Sequence, residues 1–295
     1  MVTKTRAGAA RQSFADEDVG NILLLEHVNL QVPDQALATL FYFVGMGFTR
    51  DPHMMVGLEN MWANVGEQQL HLPTGKPNVL RGHVGVVTPS LDALAERLEA
   101  VAPRLAEGRF AWSRRADHLA VTCPWGNQFR CYEPDARFGP MLLGIPYVEL
   151  SVPVGTAAGI AAFYEAVMGA PASLGGGAKS RAASVAVGQY QHLVFREAAA
   201  VPPYDGHHIA VYVARFSSSY TFLAERGLVT EEPLNHQYRF QEIVDPKTDA
   251  PLFTLEHEVR GLRHAQFRRP LVNRVVGQYL EPRRVGNTTL LGSVK

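Results

Sequence analysis

The feature that most constrains this chain is an internal duplication. Residues 25–34 (LEHVNLQVPD) resemble residues 145–154 (IPYVELSVPV). Three residue pairs keep their order at offsets of 120, 122 and 122 residues: Val32-Pro33 with Val152-Pro153, Phe41-Tyr42 with Phe163-Tyr164, and Val65-Gly66 with Val187-Gly188. A constant offset at three separate positions indicates that one structural unit occurs twice in the chain.

Each half of the chain is itself a pair of similar segments. RGHVGVV at residues 81–87 matches GHHIAVY at residues 206–212, and LAER occurs at both 94–97 and 223–226. The same order follows each of the earlier repeats, so each half predicts a strand, a helix and several strands, twice over.

The local residue patterns agree with this layout. Apolar and polar residues alternate over 27–32, which is typical of a strand with one polar face. In residues 91–101 (LDALAERLEAV) the apolar positions recur at helical spacing. Residues 124–127 (PWGN) predict a turn that joins two strands.

The repeats divide the chain into four regions. A Pro- and Gly-rich stretch at residues 134–146 predicts a linker between two domains. Arginines alternate with apolar residues just after residue 261, too apolar for a free tail, so this segment should pack across another part of the molecule. The predicted regions are an N-terminal arm (1–20), a first domain (21–135), a second domain (145–260) and a C-terminal tail (261–295).

Composition excludes several classes of protein. Lys plus Arg equals Asp plus Glu at 28 each, which gives no support to binding of nucleic acid. The sequence contains no apolar run of about 18 residues, so it predicts no membrane-spanning segment. Two cysteines make neither a disulfide framework nor a zinc template, and the first residues lack a secretory signal, so a cytoplasmic protein is expected. No Gly-x-Ser-x-Gly elbow of a serine hydrolase occurs.

Over residues 22–260 the sequence resembles the vicinal oxygen chelate superfamily, which includes glyoxalase I, extradiol dioxygenases and bleomycin-resistance proteins. The motifs that carry the resemblance are LEHVNLQVPD, LFYFVGMGF and QLHL, followed by RGHVGVV, LAERL and CPWGNQFRCYEP. The resemblance implies an α+β fold of two tandem domains, each of paired βαβββ modules that form an open, mostly antiparallel barrel. It further implies metal ligands on the first and last strands of the modules.

Carried over to the first half, the resemblance selects histidines. His27 and His83 occupy the first-strand positions, and His71 lies on the last strand of the first module. At the fourth position the family commonly has Glu, whereas this chain has Arg130, which is a poor metal ligand and a good clamp for an oxyanion. His27, His71 and His83 would make a three-nitrogen metal site.

In the second half the implied ligands include a carboxylate. Tyr147 and His208 occupy the first-strand positions, and Glu256 lies on the last strand. The remaining position is Leu193 or, after a slip of one residue, His192. Neither half carries the complete standard set, and the second is favoured because a carboxylate balances the charge of Fe(II).

Further candidates surround the second-half ligands. Glu149 shares strand parity with Tyr147 and is a candidate third ligand. Tyr147, Tyr238 and Arg239 are candidate catalytic residues, Tyr147 as proton donor or hydrogen-bond partner of the substrate.

The resemblance implies a divalent-metal enzyme that acts on a small molecule chelated through vicinal oxygens. Fe(II) is the favoured cofactor, with Mn, Zn and Ni as alternatives. Dioxygenase-like ring or C–C cleavage is favoured, because four tandem modules resemble the extradiol arrangement, and a glyoxalase-type isomerase or lyase is the alternative. A non-enzymatic binder of the bleomycin-resistance type is a further alternative, in which Trp62, Trp112 and Trp125 would form an aromatic cleft. The expected partner is a small molecule, and an aromatic one is an option. The sequence is also compatible with a homo-oligomer.

Overall fold

The computed structural model describes residues 18–54, 59–177, 180–232 and 235–274, and in them one order of elements recurs four times. The first module contains β1 (Ile22–Asn29), β2 (Thr49–Arg50), β3 (Asn60–Val65) and β4 (Gln68–Pro73). The second contains β5 (Gly82–Val87), β6 (Ala111–Arg114), β7 (Leu119–Thr122) and β8 (Gln128–Tyr132). The third contains β9 (Tyr147–Pro153), β10 (Ala172–Gly175), β11 (Ala182–Gly188) and β12 (Gln191–Ala198). The fourth contains β13 (His208–Val213), β14 (Val229–Glu231), β15 (Gln237–Val244) and β16 (Pro251–Gly261).

A helix follows the first strand of every module. These helices are α1 (Gln35–Ala38), α2 (Leu91–Leu105), α3 (Ala157–Phe163) and α4 (Phe216–Glu225). α1 and α3 continue directly as π-helical turns, over Thr39–Gly45 and Tyr164–Met168. A short 3-10 helix (Ala136–Phe138) lies between the second and third modules. The Ser90 side chain caps α2 by accepting a hydrogen bond from the backbone N–H of Ala93, which fixes the start of the helix.

The sixteen strands form two sheets of eight. The first sheet has the order β14-β15-β16-β13-β1-β4-β3-β2, and the second has the order β10-β11-β12-β9-β5-β8-β7-β6. In each sheet the two central strands are antiparallel: β1 pairs with β13, and β5 pairs with β9. The first sheet therefore joins the first module to the fourth, and the second sheet joins the second module to the third.

The α+β class, with two open and mostly antiparallel sheets of paired modules, is confirmed. The only parallel pairs in these two sheets are the first and last strands within each module. The sequence grouped the first two modules together and the last two together. The strand pairing corrects this grouping, because modules of the same half do not share a sheet. The division between residues 135 and 145 follows the repeat in the sequence, whereas the hydrogen bonds of both sheets cross it.

The helices that follow strands of one sheet pack on strands of the other sheet, and this packing joins the two sheets. Phe41, after α1, lies with its ring centroid 6.1 Å from that of Phe129 on β8 of the second sheet. Phe163 at the end of α3 lies 5.9 Å from Phe240 on β15 of the first sheet. One continuous apolar core includes all four residues.

The polar face of the first sheet follows from strand register. His208 lies beside Glu256, and Asn29 lies beside His71, so these side chains project from the same face. A β-bulge occurs in β1, where Leu25 pairs with Val211 and His27 with the adjacent Ala210. The bulge leaves Glu26 unpaired, which re-aims its side chain next to that of His27.

The C-terminal segment after β16 crosses back to the first module and contacts it through polar side chains. Asn273 exchanges hydrogen bonds with the backbone of Gly66, at 3.0 Å to the Gly66 N–H and 2.7 Å to its carbonyl. Arg269 forms two hydrogen bonds with the buried carboxylate of Asp51, one of them 3.2 Å long. The rest of the predicted tail, after residue 274, and most of the predicted N-terminal arm lie outside the described residues.

None of the helices in the described ranges has the length and apolar character that crossing a bilayer requires.

The sheet pairing predicts that neither half of the chain folds alone. Cutting the chain between Gly139 and Pro140 separates β1 from β13 and β5 from β9. We expect each purified half to lack cooperative unfolding by circular dichroism, and the two halves refolded together to elute as a one-to-one complex. A half that unfolds cooperatively as a monomer would contradict this pairing.

The ion pair between Arg269 and Asp51 predicts a pH-dependent contribution to stability. Burial alone would raise the pKa of Asp51, but its hydrogen bonds with Arg269 and neighbouring backbone lower it below the usual value. A carboxyl with a depressed folded-state pKa stabilises the protein above its unfolded pKa of about 3.9, and this contribution is lost as pH falls through the folded pKa. Arg269→Gln should therefore lower the free energy of unfolding by about 1.5–3 kcal/mol at pH 7.

Urea unfolding of wild type and Arg269→Gln at pH 7 and at acid pH measures this effect. The difference between the two proteins should shrink as the pH falls below about 4. An equal difference at both pH values would show that Arg269 acts through packing.

Candidate metal site

The pairing of the first and fourth modules brings three predicted ligands together on the polar face of the first sheet. His27 on β1, His71 on β4 and His208 on β13 each offer one nitrogen, and these nitrogens lie within 4.8 Å of one another. The His27 ring centroid is 5.6 Å from each of the other two. His27 and His208 are buried and His71 is partly buried.

A carboxylate contacts the same ring nitrogen of two of these histidines. Nδ1 of His27 contacts Glu26, and Nδ1 of His208 lies 3.4 Å from Glu256. The opposite nitrogens, Nε2 of His27 and Nε2 of His208, are buried and have no hydrogen-bond partner among the described residues. A carboxylate on Nδ1 holds the proton there, which leaves Nε2 as a free lone pair.

His71 is fixed by two amides and an indole. The Asn29 amide donates to His71 Nδ1 at 2.7 Å, and His71 Nε2 donates to Asn60 Oδ1 at 2.5 Å. Trp62 stacks on the imidazole, with 3.9 Å between centroids and 14° between the ring planes. These contacts orient the ring at the edge of the group.

Burial keeps two of the imidazoles neutral. It is the largest cause that lowers the pKa of His71 to about 2, and the nearby His27 lowers it further. Burial also lowers the pKa of His208 well below its usual value, again with His27 as the second cause. A neutral imidazole carries the lone pair that a metal ion requires, so protons do not compete for these ligands near pH 7.

Two arginines and three glutamates surround the imidazoles. Arg239 binds Glu256 at 2.9 Å and Glu258 at 2.5 Å, and Arg260 binds Glu258 and, at 3.0 Å, Glu26. Burial would raise the pKa of Glu26, but its neighbours His27 and Arg260 lower it to about 2. With three carboxylates and two guanidinium groups, these five side chains carry a formal charge of minus one.

These residues fit a divalent cation. The donor set is three imidazoles: His27 and His208 each have a buried unpartnered nitrogen, whereas His71 would bind through Nδ1 in place of its hydrogen bond with Asn29. Glu256 belongs to this face as the sequence predicts. In this structure its second oxygen accepts a hydrogen bond from Gln241 at 3.0 Å, and the carboxylate lies on the Nδ1 side of His208.

The remaining predicted ligands lie on the second sheet. His83 is on β5, and Tyr147 and Glu149 are on β9. His83 Nε2 lies 3.1 Å from the Tyr147 hydroxyl, and Glu149 forms two hydrogen bonds with Arg196, of 3.0 and 2.8 Å. His83 is thus separated from His27 and His71 because the second module pairs with the third.

Of two other predicted site residues, Arg239 and Tyr238, only one lies at the metal site. Arg239 lies on the polar face of the first sheet, as described. Its neighbour Tyr238 points the other way, donates a hydrogen bond to Ser219 on α4 at 2.7 Å and packs its ring against Phe216 and Tyr220. Adjacent residues on a strand alternate between faces, so Tyr238 is a core residue and does not line this site.

Sequence reasoning missed the residues that hold the histidines. Glu26 was overlooked because strict alternation places it opposite His27, and only the bulge brings both to one face. Glu258 and Arg260 share the parity of Glu256, so the alternation of β16 was a signal that could have found them.

No protein-family model matches this sequence, and no curated protein matches it. Solved structures do. Glyoxalase I from Zea mays matches with a TM-score of 0.56 and 16% identity over 81% of this chain and 92% of that one. A putative dioxygenase from Bacillus subtilis matches with a TM-score of 0.51 and 14% identity over 82% of this chain and 86% of that one.

At these identities the likeness concerns the fold. Both comparisons extend over most of this chain and so include modules from both halves. The protein therefore shares the fold of these two solved structures, and in this chain that fold consists of two sheets and four modules.

Proposed function

We propose that the protein is a divalent-metal enzyme whose metal is held by His27, His71 and His208. The observation that carries the proposal is the orientation of His27 and His208, each with a carboxylate on Nδ1 and a buried, unpartnered Nε2. A carboxylate behind a histidine is the usual support of a metal ligand, because it fixes the tautomer and the ring orientation. Glu26 and Glu256 take this positioning role in our proposal.

The proposed metal is Fe(II), with Mn, Zn and Ni as alternatives. Imidazole ligands suit iron, zinc and nickel, and three protein ligands leave coordination positions for a substrate. When bound, the metal would supply Lewis-acid stabilisation to a small molecule that chelates it through two vicinal oxygens. The chain's own residues on the polar face of the first sheet would bind and orient that molecule.

Between two reaction classes, the contacts favour dioxygenase-like ring or C–C cleavage over a glyoxalase-type isomerase. An isomerase needs a general base whose pKa lies near the working pH. Glu258 is the carboxylate nearest the free nitrogen of His208, at 3.9 Å from Nε2, but Arg239 and Arg260 bind both of its oxygens. Those contacts, together with His27, outweigh burial and lower the pKa of Glu258, which makes it a weak base.

The isomerase stays as the second candidate, because the solved structure of glyoxalase I from Zea mays matches this fold. The third alternative, a non-enzymatic binder with a cleft of three tryptophans, has less support. Trp62 is buried in the first sheet, whereas Trp112 and Trp125 are partly buried against the apolar core.

The metal-binding part of the proposal predicts how two variants of the site bind Zn(II). His208→Ala should abolish stoichiometric binding of Zn(II) to chelator-treated protein, measured by calorimetry with metal analysis, because it removes one of three ligands. Glu26→Gln should weaken binding about 10–100-fold, since it removes the support behind His27.

His83→Ala is the matched control, because His83 is a buried first-strand histidine of the second sheet. It should bind Zn(II) as tightly as wild type. Loss of metal from His83→Ala with retention by His208→Ala would overturn the assignment.

The reaction class predicts activity with a catechol probe. Protein stripped with a chelator and reloaded with Fe(II) under anaerobic conditions should consume oxygen when catechol and air are added, with formation of a ring-cleavage chromophore. His208→Ala treated in the same way should show no activity above free Fe(II). Isomerisation of the methylglyoxal–glutathione adduct by Zn(II)- or Ni(II)-loaded protein, without oxygen uptake, would establish the second candidate. Neither activity in metal-loaded protein would favour the binder.

A further inference from the structure

The second sheet repeats the plan of the first with different chemistry at its centre. β5 and β9 lie where β1 and β13 lie in the first sheet, and β8 and β12 flank them. Their first-strand positions hold His83 and Tyr147, and the neighbouring Arg130 on β8 projects from the same face as His83. We call this surface the second polar face.

A chain of hydrogen bonds fixes the centre of the second polar face. The Tyr147 ring lies across Gly85, where an added Cβ would come within 2.3 Å of the ring. Its hydroxyl lies 3.1 Å from His83 Nε2 and 2.9 Å from the Tyr132 hydroxyl. His83 is buried at 5% exposure, so the three side chains make a rigid wall of hydrogen-bonding groups.

This wall is unsuited to a metal. Its donors are one imidazole and two phenols, and burial raises the pKa of Tyr147 above its usual value, which keeps that hydroxyl protonated. Both oxygens of Glu149 are bound by Arg196. The only metal-competent group within the described ranges is the one on the first sheet.

The charge on the second polar face is positive and centred on Arg130. Glu149 and Arg196 neutralise each other, and Asp117, beyond Tyr132, is engaged by His118 and Arg137. Arg130 is exposed, and it makes no hydrogen bond or ion pair with any residue that the structure describes. An arginine that lies in an ordered strand and has its donors free presents a planar fork to a carboxylate.

The strand next to Arg130 leaves room for the body of a ligand. On β7, which pairs with β8, the side chains that face the same way as Arg130 are small and partly exposed: Ala120 and Thr122. They form a low floor beside Arg130. A flat molecule can therefore lie across the sheet with its charged end at Arg130.

We propose that the second polar face binds a small organic carboxylate without a metal. The carboxylate pairs with the Arg130 guanidinium, and the Tyr147 and Tyr132 hydroxyls lie at its side. The apolar part of the ligand rests on the floor of small side chains. This site is independent of the metal centre on the first sheet.

The test uses benzoate as the probe and the full-length protein in a buffer with EDTA, followed by calorimetry and ligand-observed NMR. Wild type should bind benzoate and should not bind benzamide, which has the same shape without the charge. Arg130→Gln should weaken benzoate binding at least tenfold, because it removes the ion pair and keeps a side chain of similar length.

Two further variants serve as controls. Arg137→Gln removes another exposed arginine, one already paired with Asp117, and should bind benzoate as wild type does. His208→Ala alters the first sheet and should also leave binding unchanged. The proposal is overturned if wild type does not bind benzoate, if benzamide binds equally well, if Arg130→Gln binds as wild type, or if His208→Ala abolishes binding.

Discussion

The antiparallel pairing of β1 with β13 is the interaction on which the rest of this structure depends. It joins the first and last modules of the chain through a ladder that runs from Ile22 and Val213 to Asn29 and His208, pairs that are 191 and 179 positions apart in the sequence. The equivalent pairing of β5 with β9 closes the second sheet from the two inner modules. Because the helices of each sheet pack on the strands of the other, the long-range pairings also determine how the single core is assembled. The site is a consequence of this pairing, since His27 and His208 come from strands that meet only through it.

The charges on the polar face of the first sheet are arranged in a way that suits a bound cation. Buried ion pairs compensate the loss of solvation only where each partner is bound, and here Arg239 and Arg260 are shared among three carboxylates. The remaining negative charge lies behind the imidazoles, with Glu26 and Glu256 on their Nδ1 side. A divalent ion on the opposite side of those rings would meet the unpartnered Nε2 atoms of His27 and His208, with a carboxylate behind each ring. The arginines hold the carboxylates in place, and the same ion pairs make the carboxylates weak bases. The contacts that stabilise this face therefore also favour the kind of chemistry proposed for it.

Much of the fold and part of the site could be predicted from the sequence. The repeat at 122 residues predicted four modules, and strand alternation together with family resemblance predicted His27, His71, His208 and Glu256 as functional side chains. The sequence could not say which modules share a sheet, because adjacent and distant pairings expose the same polar faces and bury the same apolar ones. That choice decided whether His83 or His208 joins His27. The role of Glu26 could not be predicted either, because a bulge depends on the partner strand. The bulge also breaks the two-residue alternation from which the polar face of the first sheet was inferred. Tyr238 shows the converse, because alternation applied to its neighbour Arg239 would have placed it in the core.

The two polar faces show how one backbone plan supports different sites. In both, two antiparallel first strands place side chains at the centre of a sheet, and parallel last strands add others beside them. On the first face those central positions hold imidazoles supported by carboxylates. On the second, Tyr147 replaces one imidazole and fills the space over Gly85, while Arg130 stands on the last strand where a carboxylate would complete a metal set. An arginine there repels a metal ion, so the same substitution that removes cation affinity creates anion affinity. Compared with a metal site, the second module lacks a carboxylate at position 130. If this face instead binds an anion, Arg130 is the side chain that such a site requires.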